Sequence, residues 1–349
     1  MRRIIAFLIA AALFSEAVAT PLPPAGAPWP DAGLIWIKAY RAKPDPAAVP
    51  LLIRALSQHG SIKEPESSGI FVGFLAGVLA NNSARAWPLI EKTLPLPFED
   101  QWIVIRALAY SGLPQWKDHM RVLALRMPDR QVMAEHYLNG ELPVLDEVML
   151  EPKVPSSMDK VKGFFQGNVF FSSAKPLKRQ VTFASSPELI DALWGMYYAT
   201  GSEAPISRIL QLLPWAKDRD NVDRLTIGSM AKFTLASNAA RDAELLALLK
   251  RTIASQPKDV KPALEEVIEA AETVDTGRIK KEALGALEEL KKKGPSSMRD
   301  LAWWGTAGEA AISFSCLGLA VAGQVEAGIP CVIGGAMTAG ALRYLGRSE

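Results

Sequence analysis

The sequence predicts an all-α protein: an irregular solenoid of paired helices that ends in a Gly/Ala-rich helical hairpin. Three observations predict it. Apolar residues recur at i, i+3, i+4 and i+7 through most of the chain, which is the period of one helix face. Polar turns with Gly, Pro, Asn or Ser break those stripes at short intervals. The last part of the chain is almost free of charge and dense in small residues.

The chain has 349 residues, 49% of them apolar, enough for a substantial core. It opens on "MRRIIAFLIAAALFSEAVAT". Two arginines, an apolar run from Ile4 to Phe14 and small residues at Ala17 and Ala19 read as a signal peptide over 1–19, with cleavage before Thr20. The run is too short for an ordinary membrane span. The Pro-rich stretch over 20–30 follows as a spacer that cannot be helical. The expected location is therefore periplasmic or secreted, with membrane association as an extension of that reading. The formal net charge is +2, and losing Arg2, Arg3 and Glu16 leaves +1. So near-neutral a balance carries no footprint for nucleic acid.

Residues 31–140 read as the first set of repeats. Asp45-Pro46 supplies a cap and a first-turn proline, and Val49, Leu52, Ile53 and Leu56 form one stripe. Phe71, Phe74, Leu75 and Val78 form the next, followed by the Asn81-Asn82-Ser83 turn and a helix with Trp87 and Ile90. Trp116, Met120 and Leu123 belong to a further pair. Residues 141–186 break the rhythm with several prolines and read as a connector. In it "NVFF" and "QVTF" would pair as a short hairpin, a loop with a short helix being the alternative, and Lys175, Lys178 and Arg179 make a small basic patch.

Residues 187–295 resume the pattern. Ser186 and Pro187 would start a helix with Ile190, Leu193, Trp194 and Tyr197 on one face. Gly201 would end it in the left-handed region, and Ser202 would cap the next, striped by Ile206, Ile209, Leu210 and Leu213. Leu245, Leu248 and Leu249 mark another helix. From Lys258 to Lys293 the helices turn charge-rich, with Glu and Lys near i, i+4 spacing. The first helices of the pairs end about 30 to 40 residues apart where the spacing is short. A lone amphipathic pair cannot bury its apolar face, so copies stack and share a core. Over roughly 31–275 the array resembles HEAT- or TPR-type helical repeats, without a full TPR signature. That resemblance implies stacked helix pairs and a long surface for a protein partner.

Residues 296–349 read as a tight hairpin, with Gly318, Gly323, Gly335 and Gly340 allowing close backbone approach. The segment 304–346 either caps the last repeat or associates with a membrane. Cys316 and Cys331, the only cysteines, flank its turn. An oxidising compartment permits a disulfide between them, and two buried thiols are the alternative.

No catalytic motif emerges. His59, His119 and His136 stand apart, SxxK occurs four times without partner motifs, and no phosphate loop, nucleophile elbow or EF-hand is present. No catalytic residue, metal ligand or cofactor is expected. The aromatic set led by Trp36, Trp87 and Trp194 reads as core packing. Tyr197 and Tyr198 are adjacent and so point to different faces, which would leave one of them facing a partner. The expected function is an exported protein-binding scaffold in the cell envelope. A membrane-associated envelope protein and an enzyme with an unrecognised site stand as alternatives.

Overall fold

The computed structural model describes residues 21–24, 29, 31–148, 150, 183 and 188–293. The expected signal peptide, Ser186, Pro187, the strand pair of the connector apart from Phe183, Lys175, Lys178 and Arg179, and the hairpin with Cys316 and Cys331 lie outside the described residues.

The described residues are all-helical, with no strand among them. In chain order the helices are α1 (Asp31–Tyr40), α2 (Val49–Gln58), α3 (Gly69–Asn81), α4 (Ala86–Thr93), α5 (Trp102–Tyr110), α6 (Trp116–Arg126) and α7 (Gln131–Leu138). Then come α8 (Glu188–Thr200), α9 (Glu203–Leu210), α10 (Val222–Ala239), α11 (Ala243–Thr252), α12 (Lys261–Glu272) and α13 (Thr276–Lys293).

Local chemistry sets several boundaries. Gly201 takes φ +66°, and the Ser202 hydroxyl accepts from the Ala204 amide at 3.3 Å, so the α8–α9 turn is built as its sequence requires. The Asn221 side chain caps α10 by accepting from the Arg224 amide, and Asp242 caps α11 by accepting from the amides of Glu244 and Leu245. Asp45 is displaced from its expected role. Its carboxylate accepts from the amides of Ala47 and Ala48 in a turn, and α2 begins four residues later, at Val49. The apolar stripe of α2 is nonetheless the expected one: Leu52, Ile53 and Leu56 are fully buried, worth roughly 2 kcal/mol each in water-free area.

α3 organises the whole. Its sequence GIFVGFLAGVLAN is apolar on every face, and residues Gly69 to Leu79 are buried throughout, as a helix enclosed on all sides requires. α3 makes its most extensive contact with α8, and α5 packs on another side. The α3–α8 contact is backbone to backbone. A Cβ on Gly73 would overlap the Ala192 carbonyl and stand 2.6 Å from its Cα, and a Cβ on Gly77 would stand 2.7 Å from the Ala199 Cβ. From the other side a Cβ on Gly195 would stand 2.5 Å from the Phe74 amide nitrogen. Gly69, Gly73 and Gly77 meet Glu188, Ala192 and Ala199 in that order, so the two helices run parallel.

α8 also packs on α1, and one hydrophobic core runs from Leu34 of α1 to Ala283 of α13. A second layer forms outside. α2 packs on α4, with the Arg54 guanidinium donating to the Lys92 carbonyl at 2.6 Å, and Arg126 of α6 bonds Glu91 of α4 at 2.8 Å. α10 is held against α12 and α13 by Lys232, which is 6% exposed and bonds both Glu266 and Glu282.

Candidate functional site

The densest group of perturbed polar side chains lies where α1, α8 and α10 finish at one end of the molecule. Each helix delivers residues from its last turn or just beyond it: Lys38 and Arg41, Tyr197 and Tyr198, and Arg241 with Asp242. The Arg41 guanidinium donates to the Asp242 carboxylate at 2.7 Å, approaches Glu244 at 3.1 Å and lies 4.8 Å over the Tyr197 ring. Tyr198 stacks on Trp194 at 5.9 Å, and the Trp194 indole donates to the Thr234 hydroxyl at 3.2 Å, tying α8 to α10.

Burial, then the charge of Asp242, pushes the Tyr197 phenol up to about 12, and the same two causes raise Tyr198 further. Burial lowers the Lys38 ammonium to about 8, and the neighbouring Arg241 adds to the effect. Burial works against the charge of Arg41, but its bond to Asp242 together with the fields of Tyr197, Asp242 and Glu244 outweighs this. Arg41 Nη1 and the Tyr198 hydroxyl are buried with no hydrogen-bond partner.

Three cations, Lys38 and Arg41 at the end of α1 and Arg241 at the end of α10, offset the carbonyl ends that converge there. Lys38 alone has chemistry beyond that. An amine that titrates near 8 is partly a free base at neutral pH and a better nucleophile than an ordinary lysine.

The expectation that Tyr197 or Tyr198 faces a partner is not met. Each is 3% exposed, because α8 is packed against α1, α3 and α9 and neither tyrosine reaches a free face. Trp36 and Trp194 are buried at 3% and 2%, as core packing requires.

A second polar group surrounds the start of α8. Arg106 lies 5.1 Å over the Trp102 ring, and Tyr110 meets Tyr137 edge to face at 6.4 Å. Burial opposes the charge of Arg106, while the field of Tyr137, Tyr110 and Glu188 favours it. Burial raises both phenols. One turn into α8, Asp191 is 3% exposed and its Oδ2 has no hydrogen-bond partner.

The remaining sequence candidates scatter. His59 stacks on Trp29, His119 stacks on Trp87, and His136 approaches Glu141 at 3.6 Å. In the Ser229–Lys232 pair, the lysine is held by two glutamates rather than by the serine. Among the described residues, no group of three or more His, Cys, Asp and Glu side chains is placed to hold a metal ion. Also among them, no helix is long and apolar enough to cross a membrane.

Sequence reasoning missed Lys38, Asp191 and the glycines of α3. Only the glycines carried a signal: the four-residue spacing of Gly69, Gly73 and Gly77 in an apolar helix marks a close-approach face.

No family model matches the chain, and no curated protein or solved structure matches it. The functional reading therefore rests on the chain's own residues.

Proposed function

We propose that the protein is an exported α-helical scaffold that binds a protein partner in the cell envelope and performs no catalysis of its own. Its architecture on this reading is an irregular helix-pair solenoid. Two features support that architecture. The first helices α3, α5 and α8 are buried along most of their length, and the helices that follow two of them, α4 and α6, bury only one stripe each.

One observation carries the binding role. α6 turns Val122 and Leu125 outward, with Leu125 85% exposed. Val132 on the adjoining α7 is 65% exposed, and Phe98, whose carbonyl accepts from Arg130, is 63% exposed. Large apolar side chains gathered on an outer layer suit a protein contact better than solvent. The polar clusters, in contrast, serve to fasten helices to one another.

Site-specific photocrosslinking in intact cells tests this reading. A photoreactive residue in place of Leu125 should trap one defined protein. The same residue in place of Val274, which is 73% exposed on the α12–α13 turn, should not. Equal adducts at both positions, or none at position 125, would contradict the proposal.

A further inference from the structure

Among the described residues two carboxyl side chains are buried, Asp100 and Asp191, and they are treated differently. Asp100 accepts a 2.5 Å hydrogen bond from the Ser57 hydroxyl. Asp191 has no such partner at its buried Oδ2, and it sits in the tightest contact of the molecule. Its Cβ would lie 2.9 Å from a Cβ placed on Gly69.

Among the described residues, the elements around it offer no cation. α3 has no ionisable side chain anywhere in its length. On α8 itself the nearest charge is Glu188, one turn earlier, which repels a second negative charge. Arg106 of α5 acts on Glu188 rather than on Asp191. On α1, Lys38 lies at the opposite end, beside Arg241, and Asp31 is another carboxylate. On α9, which packs on α8, Arg208 donates to the Leu145 and Val148 carbonyls and Glu203 pairs with Arg251, and on α10 Lys232 is bound by Glu266 and Glu282. A carboxylate ion at Asp191 would thus be an unpaired charge in a glycine-tight helix contact. Such a group neutralises rather than ionises there. Glycine contacts leave no flexible side chain to swing aside and admit water, so ionisation has to be met by moving the helices.

We infer that the α3–α8 contact is a pH-sensitive joint: Asp191 is protonated while the helices are packed, and ionising it loosens them. The inference goes beyond the binding role and does not depend on it. Burial, then Glu188, holds the Asp191 carboxyl well above the ordinary carboxylate range in the folded chain. The unfolded chain titrates at about 4. Stability from this group is therefore complete below that value and is lost as pH rises toward the folded value. The joint is tightest in acid and weakest at neutral to alkaline pH.

Denaturant unfolding of the full mature chain between pH 5 and pH 8, beside Asp191→Asn, tests this. The folding equilibrium of the variant should gain on the wild type by about tenfold per pH unit, the effect of one proton, until the folded value is reached. A difference between the two proteins that does not change with pH would overturn the proposal. Asp191→Leu is the second variant and should behave in the same way. An infrared measurement on the wild type needs no unfolding. The band of a protonated carboxyl should be present at pH 7 and absent in Asp191→Asn. A wild-type spectrum without that band would equally overturn it.

Discussion

Two joints hold the molecule together, and they are made in opposite ways. Where α3 meets α8, glycines bring the backbones into contact, and no ion pair crosses. Where α10 meets α12 and α13, a buried lysine reaches two glutamates, and a third interaction runs from Lys217 to Glu266 at 3.3 Å. The first joint depends on shape and the second on charge. Their pH responses are opposite in sign. Asp191 weakens the first joint as pH rises. Burial would raise Glu266, but the bonds from Lys232 and Lys217 outweigh it and hold that carboxyl below its usual value. Stability from Glu266 is present above the ordinary carboxylate range and lost as pH falls through its lowered folded value. A fold joined in both ways is loosened at different places by acid and by base.

The largest expected effect lies at the first joint. Gly73→Ala places a methyl group into the Ala192 backbone, where no side chain can yield. It should cost about 3 kcal/mol or more, read as a loss in denaturant midpoint, because overpacking against backbone cannot be relieved by a rotamer change. A cost below about 1 kcal/mol would mean that the helices are not in backbone contact.

Lys232→Ala should come next, at about 2 kcal/mol, since it removes two charge-assisted bonds to glutamates that retain some solvent. Its cost should shrink in acid as the glutamates protonate. A cost that stays constant from pH 7 to pH 3 would show that packing of the lysine stem, rather than charge, holds this joint.

The smallest effect has the opposite sign. A Cβ on Gly285 of α13 meets nothing within 4 Å. Gly285→Ala should therefore stabilise by about 0.5 to 1 kcal/mol, the helix preference of alanine over glycine. The same substitution thus cripples one joint and strengthens a helix of the other. Equal changes in Tm for both variants would break the contrast.

The sequence made the second joint partly legible and the first one hardly at all. Charge-rich helices over Lys258 to Lys293 were expected, and α12 and α13 occupy that span. Helix-scale features were legible wherever the cause was local: the α2 stripe, the left-handed Gly201, the Ser202 cap. The contact of α3 with α8 joins residues more than a hundred positions apart, and periodicity has no access to such pairings. The same blindness explains Tyr197 and Tyr198. Their spacing shows that two adjacent tyrosines diverge, but not that α1, α3 and α9 close around the helix that carries them. Lys38 and Asp191 escaped notice because each looks like an ordinary polar residue at a helix end. Only their enclosure by distant elements changes their chemistry.

Hydrogen exchange resolved by segment, at pH 5 and at pH 8 and corrected for intrinsic rates, tests the two-joint account most directly. Moving from pH 5 to pH 8 should lower the protection of α3 and α8 while leaving that of α10, α12 and α13 equal or higher. Protection that changes in parallel in both groups of helices would contradict it.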